Sequence, residues 1–199
     1  MSSLQTLDRR IGFVHVALAF VAAAASVAAI RLWAIPRIGA LAEDKAYFTE
    51  RKVEFLFDGR PRGYSFEDAG MHLEALGRDA REFYASWYVP VFDLAFPVTL
   101  LLFGVLFCLW MTQPKRAFAA ALRPSWRLAI LLIPLALFVF DLLENISVWT
   151  MLTSYPNQTY ALVTTASTFS QIKWAAVYGS WALAAGLIVL ATPRWLRRG

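Results

Sequence analysis

The chain has 199 residues, 59% hydrophobic and 17% charged, with a formal net charge of +5. It is far more apolar than a soluble domain, and its charges gather at the N-terminus, within 37–82, around 115–127 and at the C-terminus. The positive excess flanks long apolar runs, which argues against a nucleic-acid surface, and the single cysteine, Cys108, excludes an internal disulfide and a cysteine-based metal site.

A transmembrane helix needs about 20 mostly apolar residues. Four segments qualify, at about 12–34, 89–111, 128–152 and 172–192, and predict an all-α integral membrane four-helix bundle forming a single membrane domain over 1–199. The first follows Arg9 and Arg10, and Pro36 is expected to end it. An Arg pair before an Ala-rich stretch also suits a signal peptide, but the apolar run is long enough to span. Cleavage would leave three spans in the same orientation.

Residues 35–88 form a long segment of mixed charge. Asp58-Gly59-Arg60-Pro61-Arg62-Gly63 reads as a turn. A helix follows, with Ser65 as N-cap and Asp68 at the capping-box position. Phe66, Ala69, Leu73, Leu76, Ala80, Phe83 and Trp87 recur at steps of three and four and make one apolar stripe, opposite Glu67, Glu74, Arg78 and Arg81. The pattern predicts an amphipathic helix on the outer face or capping the bundle, before the chain turns inward at Pro90.

Positive loops stay in the cytoplasm. Arg9 and Arg10, then Lys115, Arg116, Arg123 and Arg127, then Arg194, Arg197 and Arg198 all fall on one side of a four-span chain, and 153–171 carries no charge. Both termini are therefore expected in the cytoplasm, with the chain in a bacterial inner membrane. Tryptophan placement agrees with the expected aromatic belts: Trp33, Trp87, Trp149 and Trp174 fall at outer boundaries, Trp110, Trp126 and Trp195 at inner ones, and Trp181 within a span.

The spans carry unusual polar residues. Asp93 lies just inside the second; Asp141, Glu144 and Asn145 lie in the third; Lys173 starts the fourth; Arg31 lies near the outer end of the first. The spacing of Asp141, Glu144 and Asn145 puts them on one helix face. A charge at the bilayer centre costs about 2.5–3.5 kcal/mol on insertion scales, so that face points into the bundle, and Lys173 and Arg31 are the only bases within reach. These six residues are the candidate ligand-binding set; no catalytic role is assigned. Pro97 and Pro134 free backbone carbonyls and suggest kinks.

In the fourth span Ala175 with Gly179, and Ala182 with Gly186, have the spacing of close helix packing. His15 and His72 lie at different depths and make no metal pair. No Walker, Rossmann, triad or zinc-helix motif is present, and no cofactor is expected.

The order of Gly63-Tyr64-Ser65, Leu76-Gly77-Arg78, Tyr84, Asp93 with Phe96-Pro97, Asp141-Leu142-Leu143-Glu144-Asn145, Tyr155-Pro156 and Lys173-Trp174 resembles a family of small bacterial four-span membrane proteins with no assigned activity. In layout, with Trp87-Tyr88 before the second span and acids in spans two and three, the chain is also similar to the sterol-isomerase and sigma-2-receptor superfamily. That similarity implies a small bundle with intramembrane acids and a lipid-accessible cavity, and transfers no activity.

Three functions fit these features. One is a pocket for a small apolar or lipid-like molecule, with Asp93, Asp141 and Glu144 as its polar groups. The second is an accessory subunit held to a membrane-protein partner, its polar network purely structural. A proton or cation path ranks last, because no polar path continues to the cytoplasmic side.

Overall fold

The computed structural model describes residues 11–113 and 124–195. Arg9, Arg10, Lys115, Arg116, Arg123, Arg197 and Arg198 lie outside the described residues, as does the side chain of Arg194. Among the described residues the structure is helical, without strands.

Helix α1 (Phe13–Leu41) is the first span, interrupted by a π-helical stretch at Ile30–Ala34. Short α2 (Lys45–Glu50) and a strap, 51–65, lead to α3 (Phe66–Phe83). A π-helical segment, Tyr84–Asp93, joins α3 without a break to α4 (Leu94–Met111). Helices α5 (Pro124–Ser154) and α6 (Tyr160–Trp195) form a long antiparallel hairpin. Four helices are long and apolar enough to cross a membrane, and at most 22% of any span's most apolar window is buried inside the protein. Phe13, Leu18, Val21, Leu32, Leu128 and Val189 stand exposed on their surfaces. So much exposed aliphatic surface needs lipid around it, and the chain is a multi-pass membrane protein.

Packing is sequential. α1 packs on α4, α4 on α5 and α5 on α6, and among the described residues no comparable packing joins α1 to α6. The α1–α4 seam holds a Ser26 Oγ to Thr99 Oγ1 hydrogen bond of 3.0 Å. It is closed at one end by Gln113, which donates to the Ile11 carbonyl at 2.7 Å. At the seam of α4 and α5, Gly104 leaves room for the Pro134 ring, which a Cβ would meet at 2.8 Å.

The other end of the bundle is capped by α2, the strap and α3. Ser65 and Asp68 form the expected capping box: the Asp68 N–H donates to Ser65 Oγ at 3.0 Å, and the Ser65 N–H to the Asp68 carboxylate at 3.2 Å. The apolar stripe is buried at Ala69, Leu73, Leu76 and Ala80 and emerges at both ends, with Phe66 and Trp87 exposed.

The structure corrects several sequence expectations. Pro36 does not end the first span; it sits in the first turn after the π stretch, where its missing N–H costs little, and the helix runs on to Leu41. Pro90 marks no turn into the bundle, because it lies inside the π-helical segment. The fourth helix starts at Tyr160, well before 172, and Ser167 and Ser170, which weaken its apolar signal, are buried there as contacts to the strap. α3 is instead broken at Gly77, with φ 70° and ψ 179°, a region open essentially to glycine alone. The chain after α1 mends that break from both sides. The Glu43 and Asp44 N–H groups donate to the Leu76 and Ala75 carbonyls at 3.3 and 3.0 Å. The Glu43 carboxylate accepts the Arg78 N–H at 3.0 Å. One segment thus satisfies the end of one half-helix and the start of the next.

Candidate functional site

The hairpin of α5 and α6 positions the charged centre. In an antiparallel pair, residues equally far from the connecting turn lie level with each other. Asp141 and Lys173 are so related about the 155–159 turn, each roughly 20 Å from it at 1.5 Å rise per residue. Lys173 Nζ lies 3.2 Å from Asp141 Oδ1 and also makes a close ion pair with Glu144 Oε2, one helical turn nearer the cap. Lys173 and Asp141 are 6% and 4% exposed, and Glu144 is fully buried. A single ammonium therefore serves two carboxylates away from water, which makes it a fixed charge and not a free nucleophile or base.

Asp93 and Asn145 stand beside this trio. Pro97 has no N–H to give to the Asp93 carbonyl one turn before it. Asn145 supplies the missing donor from α5: its Nδ2 reaches the Asp93 carbonyl at 3.0 Å. The Asp93 carboxylate is buried near the Tyr88 hydroxyl, at 3.5 Å, the outer limit of a hydrogen bond. Asn145 thereby has a backbone task. Arg31 is not part of the cluster: it sits 3.7 Å from Glu54, with both side chains about half exposed.

Over the cluster lies the strap. The Trp174 indole N–H donates to the Asp58 carbonyl at 2.8 Å, Ser170 Oγ donates to the Arg60 carbonyl at 3.2 Å, and the Tyr64 N–H donates to Ser167 Oγ at 2.9 Å. Gly63, at φ 72°, allows this approach, since a Cβ there would meet Ser167 and Gln171 of α6. Trp174, expected at the lipid boundary, turns inward to hold the strap. The Tyr64 hydroxyl is held neutral, its pKa raised by burial first and by the nearby Glu144 charge second. From the other side, the Phe57 N–H donates to the Tyr84 hydroxyl at 3.1 Å. His72 anchors the strap beneath: its Nε2 donates to the Phe55 carbonyl at 3.2 Å while Nδ1 accepts from Arg60 at 2.5 Å. Burial first, and the Arg60 charge second, hold the pKa of His72 well below the usual histidine value.

Beneath the strap is a cavity of 280 Å³. Its polar wall is Asp141, Lys173, Asp58, Arg31 and Glu54; its apolar wall includes Phe96, Leu100, Trp174 and Val177. It adjoins a second, apolar cavity of 140 Å³ deeper in the bundle, with Leu100, Leu137, Val177 and Trp181 lining both. Arg31, Glu54 and Trp181 mark its mouth, on the side where α1 and α6 leave a gap. Two carboxylate oxygens of the wall have no hydrogen-bond partner: Asp141 Oδ2 and Asp58 Oδ1, each itself buried.

Comparison with family models, curated proteins and solved structures finds no match. Of the six candidates, Asp93, Asp141, Glu144, Asn145 and Lys173 come together. Only Asp141, Lys173 and Arg31 line the cavity; Asp93, Glu144 and Asn145 lie behind it. Asp58 was missed by sequence reasoning. An Asp-Gly pair reads as a turn, and only its seat on α6, more than a hundred residues away in the chain, brings it over Lys173.

Proposed function

We propose that the chain binds a small apolar or lipid-like molecule in the cavity under the strap, reached from the bilayer between α1 and α6. The observation that carries this reading is the 280 Å³ cavity itself, mostly apolar with a few convergent polar groups, with buried Asp141 and Lys173 in its wall. The gap between α1 and α6 supports lateral entry, since an apolar molecule there need never cross water. By the distribution of positive loops, both termini lie in the cytoplasm and the capped end faces outward, in a bacterial inner membrane.

Two experiments test this. Protein carried out of the membrane in polymer-bounded lipid discs is extracted and its lipids identified. A single amphiphile enriched over the bulk lipid, and lost from Val177→Trp, is the expected result; bulk composition in both proteins would sink the reading. For orientation, a C-terminal fluorescent-protein fusion should fluoresce and a C-terminal alkaline phosphatase fusion should be inactive, with the reverse result placing the termini outside.

An accessory-subunit role has its own supporting observation. Ala175, Gly179, Ala182 and Gly186 of α6 all face away from the bundle, with nothing within 4 Å of where either glycine's Cβ would stand. Such a face suits close approach of another helix. Co-purification of one stoichiometric membrane protein, lost in Gly179→Leu, would favour it over the pocket reading.

A further inference from the structure

Resting on the pocket reading above, we infer that the cavity selects a single-chain amphiphile whose head group donates hydrogen bonds and carries no negative charge, an alcohol or a primary amine. The charges of the wall set the sign. Arg31 is matched by Glu54, and Lys173 is engaged by both Asp141 and Glu144. Asp58 has no cation to itself, so the lining holds more acid than base. The acceptors set the polarity. Asp141 is 4% exposed and its Oδ2 is without a partner, while Asp58 brings the unpartnered Oδ1 from the strap. Both residues line the same cavity, and an ionised carboxylate carries acceptor atoms only, so a hydroxyl or ammonium suits them and a carboxylate or phosphate is repelled.

The second cavity sets the shape. It is apolar, continues from the first past Leu100 and Val177, and ends near Cys108, so a chain attached to the head has a place to lie. The head therefore rests under the strap and the tail points toward the middle of the bundle.

The test uses the full chain in lipid nanodiscs, with bound probe counted by native mass spectrometry. The probes are dodecylamine, dodecan-1-ol, dodecanoate and dodecyl methyl ether, which share a chain and differ only in the head. The amine and the alcohol should form one-to-one adducts about tenfold or more tighter than the carboxylate and the ether, as expected for one hydrogen bond to a charged acceptor. Asp58→Leu should bind all four more evenly. That variant keeps the Asp58 and Arg60 carbonyls and the Tyr64 N–H that bind the strap to α6. Leu100→Trp, or Val177→Trp if the first does not fold, should abolish every adduct. Carboxylate or ether binding as tight as the alcohol overturns the head-group inference while leaving the pocket standing. Absence of any one-to-one adduct removed by the tryptophan variants overturns both.

Discussion

Lys173 concentrates the largest single-residue effect expected in this protein. With Asp141 and Glu144 both buried against it, Lys173→Met leaves two carboxylates in an apolar bundle without a cation. Losing one partner of a buried pair costs about 3–5 kcal/mol, whereas replacing all the charged members together is often close to neutral. Detergent-driven unfolding should therefore show a large loss for Lys173→Met, mostly recovered when Asp141→Asn and Glu144→Gln are added. Failure of the triple variant to recover would mean that the network does more than neutralise itself. Asn145 makes a smaller prediction. Asn145→Leu keeps the volume but leaves the Asp93 carbonyl unpaired where Pro97 gives it nothing, at a cost of about 1–3 kcal/mol by the same assay. A cost near zero would show that the carbonyl finds another donor.

Among the elements, α3 and the strap are where backbone chemistry decides the outcome. Gly77→Ala puts a Cβ against the Glu43 carboxylate in a backbone region that L-residues avoid, so a loss of at least about 1–3 kcal/mol is expected on thermal unfolding. The cap also carries the pH dependence. The folded pKa of His72 is depressed, so its contribution is fully present above the unfolded value near 6.5. It is lost as pH falls below that value toward the folded pKa, because the unfolded chain takes up a proton that the folded chain refuses. Between pH 8 and pH 5 the wild-type melting temperature should drop, and His72→Gln should drop less; equal slopes would remove His72 from the cause. Asp68 acts in the same direction at lower pH. Its carboxyl is held below its usual value by the Ser65 side chain and backbone, so the capping box weakens on acidification.

At the scale of the whole molecule, the sequential packing of the spans matters most. Among the described residues α1 and α6 share no extensive packing, which leaves a slot between them, and the strap roofs that slot at the capped end. Here one residue can serve two ends: Trp174 is part of the cavity wall and also holds its roof. Trp174→Phe keeps an aromatic wall but drops the bond to Asp58. It should loosen the strap, seen as faster amide exchange over 54–62, with the four spans unchanged. Unchanged exchange would mean that the Ser167 and Ser170 bonds suffice.

The chain's composition and periodicity alone set the class of the protein. Four apolar stretches of spanning length cannot be solvated by water, and the Ser65 cap with its stripe needs only local chemistry and helical periodicity to be read. Helical spacing likewise puts Asp141, Glu144 and Asn145 on one face. The level match of Asp141 with Lys173 was within reach too, given a fourth helix starting at Tyr160, but the serines and threonines of its first turns hid that start behind a weak apolar signal. The rest follows from long-range packing. Whether Arg31 or Lys173 meets the acids depends on which helices are neighbours, and α1 sits next to α4 while α6 sits next to α5. The placement of Asp58 depends on bonds across more than a hundred residues, and no local pattern encodes those. The cavity depends on sparse packing between α1 and α6 among the described residues, and sparse packing leaves no periodicity in the chain to read.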